Sequence, residues 1–254
     1  KDLAKNIPWV IMLTVTILQF TTLAMKGGAY VYYFENYVSK NSLSDFISPI
    51  IEFLSSIGIN FFGSDPVSAG FGLFNAGGII FMIIGIGLSK MLADKYGKRN
   101  VFGGFLFIST LFILVFYVLS PDSINLIFGA QIFHGFFYGI TIPLLWAMIA
   151  DVADYSEWKN NRRATAIIFS AMMVGLKLGL SIGGALVASI LGSYGYVPNS
   201  VGEQSESAIL GTKMLVSIFP SIPFLVAAAL LFFYVIDKKM EDKIEKDLLK
   251  KRKS

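Results

Sequence analysis

Lys177 is the side chain whose position asks most of its surroundings. It stands about 13 residues into an apolar run that begins at Ala164, so at 1.5 Å per residue its amine lies near the middle of a bilayer-length helix. Holding a charge there costs roughly 2.5–3.5 kcal/mol on insertion scales, so such a lysine faces a polar cavity and pairs with a carboxylate or a substrate. An uncharged amine bonded to backbone is the alternative. Every other apolar run lacks an acidic residue at mid-depth, so a counter-ion has to come from outside the sequence.

Gln131 and His134, three residues apart on another run, share a helix face at similar depth and can hydrogen-bond a substrate hydroxyl or bond across helices. Gln19 and Asn75 are further mid-depth amides that suit the lining of a pathway. Lys26 lies farther out, where snorkelling to the interface accounts for it. Gly175, Gly179 and Gly183 repeat every four residues around Lys177, a smooth strip that lets a second helix approach closely.

Two charged clusters flank the runs. One is Asp94-Lys95-Tyr96-Gly97-Lys98-Arg99, a turn whose Gly97 suits a positive φ. The other is Asp151, Asp154 and Glu157 followed by Lys159, Arg162 and Arg163. Without a nucleophile, a cysteine or metal-ligand spacing beside them, hydrolytic and metal chemistry find no support. Salt bridges closing an inner gate, with Asp94, Arg99, Asp151, Asp154 and Arg163 as members, are one reading, and solvated loop charge is the other. No metal and no cofactor are expected.

The elements that carry these residues follow from composition. The 254 residues are 55% hydrophobic and 15% charged, with 23 Phe, 11 Tyr and no Cys. Mean hydropathy is +0.66. A soluble domain carries about 25% charged residues, and disordered chains lack aromatics, so both classes are excluded. Six runs are long enough to cross a bilayer core about 30 Å thick: 7–38, 67–91, 101–119, 124–150, 164–192 and 212–236. The first is expected to break or bend at Lys26-Gly27-Gly28. Pro143, Pro220 and Pro223 free carbonyls that neighbouring helices must satisfy. Residues 39–66 form a long connection, read as partly helical and lying on the outer interface. The tail 237–254 alternates acid and base, as a solvated helix or a weak anchor on anionic lipid does.

Lysine and arginine set the orientation. Lys1, Lys5, Lys90, Lys95, Lys98, Arg99, Lys159, Arg162, Arg163 and the tail fall on one side, and Lys40 and Lys213 on the other. Both termini are therefore expected in the cytoplasm. The net charge of +4 is a topology signal, and nucleic acid drops out as a partner. The chain starts at Lys1, its first apolar run has no small-residue cleavage site, and it reads as part of something longer.

At the charged clusters a resemblance emerges. Asp94-Lys95-Tyr96-Gly97-Lys98-Arg99 resembles the charged turn of the major facilitator superfamily. Ala150-Asp151-Val152-Ala153-Asp154-Tyr155-Ser156-Glu157-Trp158-Lys159, with Arg163 and Lys177 after it, resembles the signature of the glycoside-pentoside-hexuronide:cation symporters, the group that contains melibiose permease. Asn6-Ile7-Pro8-Trp9, Gly27-Gly28, Gly195-Tyr196 and Asp237-Lys238-Lys239-Met240 fit the same family over the whole chain.

That resemblance implies an all-α, polytopic membrane fold, with these six helices as the C-terminal half of a twelve-helix transporter in a bacterial inner membrane. It implies a sugar as substrate and a coupling Na⁺ or H⁺ bound mainly by the N-terminal half. It places Lys177 near the sugar and cation sites, and Asp151, Asp154 and Arg163 at the inner gate. The apolar Met172-Met173-Val174 before Lys177 also suits the lysolipid carriers of the family, and a non-transporting six-span scaffold is a third reading.

Overall fold

A computed structural model of the chain describes residues 6–59, 65–161, 164–198 and 203–253. Among them the regular structure is helical: α1 Ile7–Asn36, α2 Lys40–Ser56, α3 Pro66–Tyr96, α4 Lys98–Val115, α5 Ile124–Asn160, α6 Thr165–Ser193, α7 Glu206–Val216, α8 Ile218–Leu230 and α9 Lys238–Lys253, with a 3₁₀ turn at Leu231–Phe233 between the last two. Six crossings follow, α7 and α8 together forming the sixth. The fold is that of an all-α polytopic membrane protein.

Start signals match the sequence chemistry. The side chain of Asn6 accepts from the Trp9 backbone N–H, and Pro8 occupies the first turn, where its missing N–H is no loss. Asp65 caps α3 in the same way, accepting from the backbone and hydroxyl of Ser68, and these bonds hold its carboxyl below the usual carboxylate range. Gly97 turns α3 into α4 at φ 82°, the left-handed conformation its missing Cβ permits.

Two expectations are corrected. α1 runs unbroken through Lys26-Gly27-Gly28. A break inside hydrocarbon strands backbone groups at several kcal/mol each, far above the ~1 kcal/mol cost of a helical glycine. The interruption falls instead at Ser217, which separates α7 from α8. There hydroxyls stand in for the ladder: Ser217 Oγ donates to the Lys213 carbonyl, Ser221 Oγ to the Ser217 carbonyl, and Thr22 Oγ1 on α1 to the Pro220 carbonyl. The tail helix α9 is not fully solvated, since it buries Ile244 and Leu248 in the bundle's own core.

Two apolar cores stack along the bundle. One, at the end that carries the α3–α4 turn and α9, gathers Met12, Phe102, Met148, Phe224, Tyr234 and Ile244. The other, at the opposite end, packs Tyr33, Phe34, Phe74, Phe116 and Phe128 in edge-to-face contacts, together with Leu43. Leu43 belongs to α2, so the connection 39–66 is partly helical, and it is seated on the core rather than only skimming the interface. It is tied down by Ser42 Oγ, which donates to Asp122 2.8 Å away. The hydroxyls of Ser42 and Ser39 hold the Asp122 carboxyl below its ordinary range.

Glycine decides which helices touch. A Cβ on Gly179 would sit 2.4 Å from the Ile17 carbonyl oxygen, and one on Gly183 2.4 Å from that of Thr21, so the glycine strip of α6 is the surface on which it meets α1. The α3–α5 contact is tighter still. A Cβ on Gly85 would lie 2.1 Å from the Phe136 carbonyl, and one on Gly139 2.1 Å from that of Met82. In a bilayer, where apolar burial gives helices no mutual attraction, this close backbone contact is the main source of cohesion.

Candidate functional site

Between the two cores, α1 and α5 bring a buried polar layer together. Gln19 on α1 donates from Nε2 to the hydroxyl of Tyr138 at 3.0 Å. The Tyr30 hydroxyl donates to Gln131 Oε1 at 3.1 Å. His134 Nδ1 is 3.0 Å from the Ser109 carbonyl oxygen of α4, and since a carbonyl only accepts, the ring carries a proton on Nδ1. The imidazole stacks on Tyr138, whose other face lies against Phe224. Gln19, Gln131 and His134 are all buried. The side-chain oxygen Oε1 of Gln19 and the Tyr33 hydroxyl are buried without a hydrogen-bond partner among the described residues.

Lys26 belongs to this layer, contrary to the snorkelling expectation. It is 5% exposed, and its ammonium lies 5.4 Å from the centre of the Tyr30 ring. The reason is rotational. Gln19, Thr22 and Lys26 recur at helical spacing on the α1 face that meets α5 and α8, so the amine points into the bundle. No acidic side chain is paired with it among the described residues.

Lys177 is elsewhere. It is exposed, about 160° round α6 from Gly175 and Gly179, so its amine faces away from α1. Met173 and Val174 are exposed beside it. Asn75 also stays outside the layer: half-buried on α3, it donates to the Phe71 carbonyl of its own helix. The five residues expected to line a pathway therefore divide into a buried trio, an outward lysine and a locally bonded amide.

At the basic end the structure joins Asp151 to Lys98, not to Arg99. Lys98 Nζ lies 2.7 and 2.8 Å from the two Asp151 oxygens and 2.8 Å from Glu241 of α9. Arg99 instead donates to the Tyr234 carbonyl at 3.0 Å, satisfying the chain end beyond α8. Asp94 takes part through its backbone carbonyl, which accepts from Lys238. Asp151 and Asp154 line a cavity of about 290 Å³ under α9 together with Glu241, Ile244 and Leu248. Arg163 lies outside the described residues. Trp158 donates from Nε1 to Asp247 and carries Lys243 over its ring, which completes the seating of α9. Lys98 and α9 were missed because local spacing does not show which of two adjacent cations turns toward α5.

Comparison with known proteins comes out in one direction. Residues 51–238 match the family described as MFS/sugar transport protein. The isoprimeverose transporter of Lactiplantibacillus pentosus is 27% identical over 252 residues, covering 99% of this chain and 46% of that protein. The glucuronide carrier protein homolog of Escherichia coli K12 is 29% identical, over 67% of this chain and 38% of its own. The inner membrane symporter YicJ of the same organism is 26% identical, over 90% and 44% respectively. The chain therefore spans less than half the length of each of these three relatives.

Proposed function

This chain belongs to the MFS/sugar transport protein family, in its glycoside-pentoside-hexuronide symporter branch, and from that premise we propose that it is the C-terminal six-helix half of a cation-coupled sugar transporter. The observation that carries the reading is the outward face of α6. A lysine at mid-depth with no acidic partner on the described spans, on the side of α6 opposite the seam closed against α1, asks for a second helical body with carboxylates to cover it.

In this reading the two halves rock about a midplane site, which each opens to one side of the membrane in turn. Lys177 couples substrate occupancy to carboxylates on the N-terminal half, where Na⁺ or H⁺ binds. Gln19 and Gln131 hold α1 and α5 in register, and His134 ties α5 to α4, so that these helices move as one. The inner gate is built on Asp151 with Lys98, and Asp94, Arg99, Asp154 and Arg163 stand around it. Both termini of the segment lie in the cytoplasm, in a bacterial inner membrane. The relatives named for isoprimeverose and glucuronide support a glycoside or a hexuronide as substrate.

The apolar neighbours Met173 and Val174 favour one second reading, a carrier for lysolipids or similar amphiphiles. Uptake by the complete transporter in proteoliposomes separates the two. Lys177→Ala is expected to abolish cation-driven sugar accumulation at unchanged expression. Full accumulation by that variant removes Lys177 from coupling, and headgroup-dependent lysolipid uptake with indifference to sugars establishes the amphiphile reading instead.

A further inference from the structure

Away from α6 and the buried polar layer, α4 and α8 leave a groove of about 590 Å³ between them. That volume falls inside the range of about 300–1,000 Å³ typical of small-ligand sites. Its walls are Gly103, Gly104, Phe107, Leu225, Ala229 and Phe232, and its mouth is Arg99 and Asn100. The wall is apolar apart from that mouth. Phe232 is 85% and Phe107 47% exposed, and Gly104 has open space where a Cβ would stand.

The mouth sits at the basic end of the bundle, where Lys98 is already bridged by Asp151 and Glu241 and Lys238 donates to the Asp94 carbonyl, so the cation that lines the groove is Arg99. One Arg99 nitrogen is engaged by the Tyr234 carbonyl, which fixes the guanidinium at the top of the groove. A guanidinium has five donors in a planar fork, a geometry that suits phosphate oxygens.

We propose that this groove is a binding site for one anionic phospholipid. Its phosphate is held by Arg99 and Asn100, and an acyl chain lies along Gly103, Gly104 and Phe107. Charge complementarity selects this occupant. A zwitterionic lipid would bring its own cation beside the Arg99 guanidinium. An anionic lipid satisfies wall and mouth at once, as basic pockets between membrane helices do for acidic head groups.

Native mass spectrometry of the purified full chain, released from nanodiscs of mixed phosphatidylglycerol and phosphatidylcholine, tests this. One phosphatidylglycerol is expected to stay bound preferentially. Arg99→Met should weaken its retention about fivefold, the effect of one basic residue at a membrane surface. Because that change also frees the Tyr234 carbonyl, Gly104→Phe is the second variant: it fills the wall, leaves Arg99 in place, and is expected to displace the lipid equally. Glycerol phosphate, which has a head group and no chain, is expected not to compete. Equal retention of both lipids, retention unchanged in both variants, competition by glycerol phosphate, or dimers in place of lipid adducts each overturns the proposal.

Discussion

Lys98 bridges Asp151 on α5 and Glu241 on α9, at 2.7 and 2.8 Å, and so makes one ion cluster out of three elements far apart in sequence. The Lys98 and Asp151 side chains are 24% and 15% exposed, between the surface and the interior. A surface pair is worth at most about 1 kcal/mol, and removing one partner of a buried pair costs about 3–5 kcal/mol. Lys98→Ala is therefore expected to destabilise by about 2 kcal/mol. Asp151→Ala should cost less, because Lys98 keeps Glu241. In a double-mutant cycle read by thermal unfolding in detergent, the double variant should fall short of the sum of the singles by about 1 kcal/mol. Strict additivity would show that the contact contributes nothing.

Glycines that look alike in the sequence separate sharply in the fold. Gly139→Ala places a methyl 2.1 Å from the Met82 carbonyl, and backbone yields less readily than a side chain. Overpacking alone costs about 1–3 kcal/mol, and here α3 and α5 must part along their seam. Gly87→Ala meets nothing within 4 Å and removes a helical glycine, so it should stabilise by about 0.5–1 kcal/mol. Detergent melting curves of the two variants are expected to shift in opposite directions. A shared direction would mean that the α3–α5 contact is looser than the close approach implies.

Hydropathy made the six spans legible, and the four-residue glycine period foretold a close helix seam. Both signals are local. α5 continues ten residues past Ala150, where charge marks the end of the apolar run, because Val152, Ala153 and Tyr155 still bury one face of the helix. A hydropathy run reports depth, whereas continuation of a helix depends on whether one side still packs. For the same reason Lys177 and Lys26 could be placed along the bilayer normal but not around their helix axes. Azimuth comes from the partner helix, and the partner of α1 on the Lys26 side is α5, more than a hundred residues away. The choice of Lys98 over Arg99 at Asp151 is the same problem at one residue's resolution.

That rotational placement leads to a prediction about the buried amine. Lys26 is 5% exposed, and the contact identified for its charge is the Tyr30 ring at 5.4 Å. A cation–π contact returns about 0.5–2 kcal/mol, while removing an ammonium from water costs several kcal/mol, so the site loses on balance. Replacing a buried ion by an apolar residue of similar shape is often neutral or stabilising by about 1–4 kcal/mol. Lys26→Met, which keeps the unbranched stem, is expected to raise the detergent melting temperature. Gln131→Leu removes the acceptor of the Tyr30 hydroxyl and should lower it, by about 1–3 kcal/mol of lost satisfaction. Opposite shifts from two residues of one layer would establish that its hydrogen bonds hold the fold while its charge strains it. A large loss of stability in Lys26→Met would instead show that the ammonium has a strong partner within the bundle, and the strained-charge account would fail.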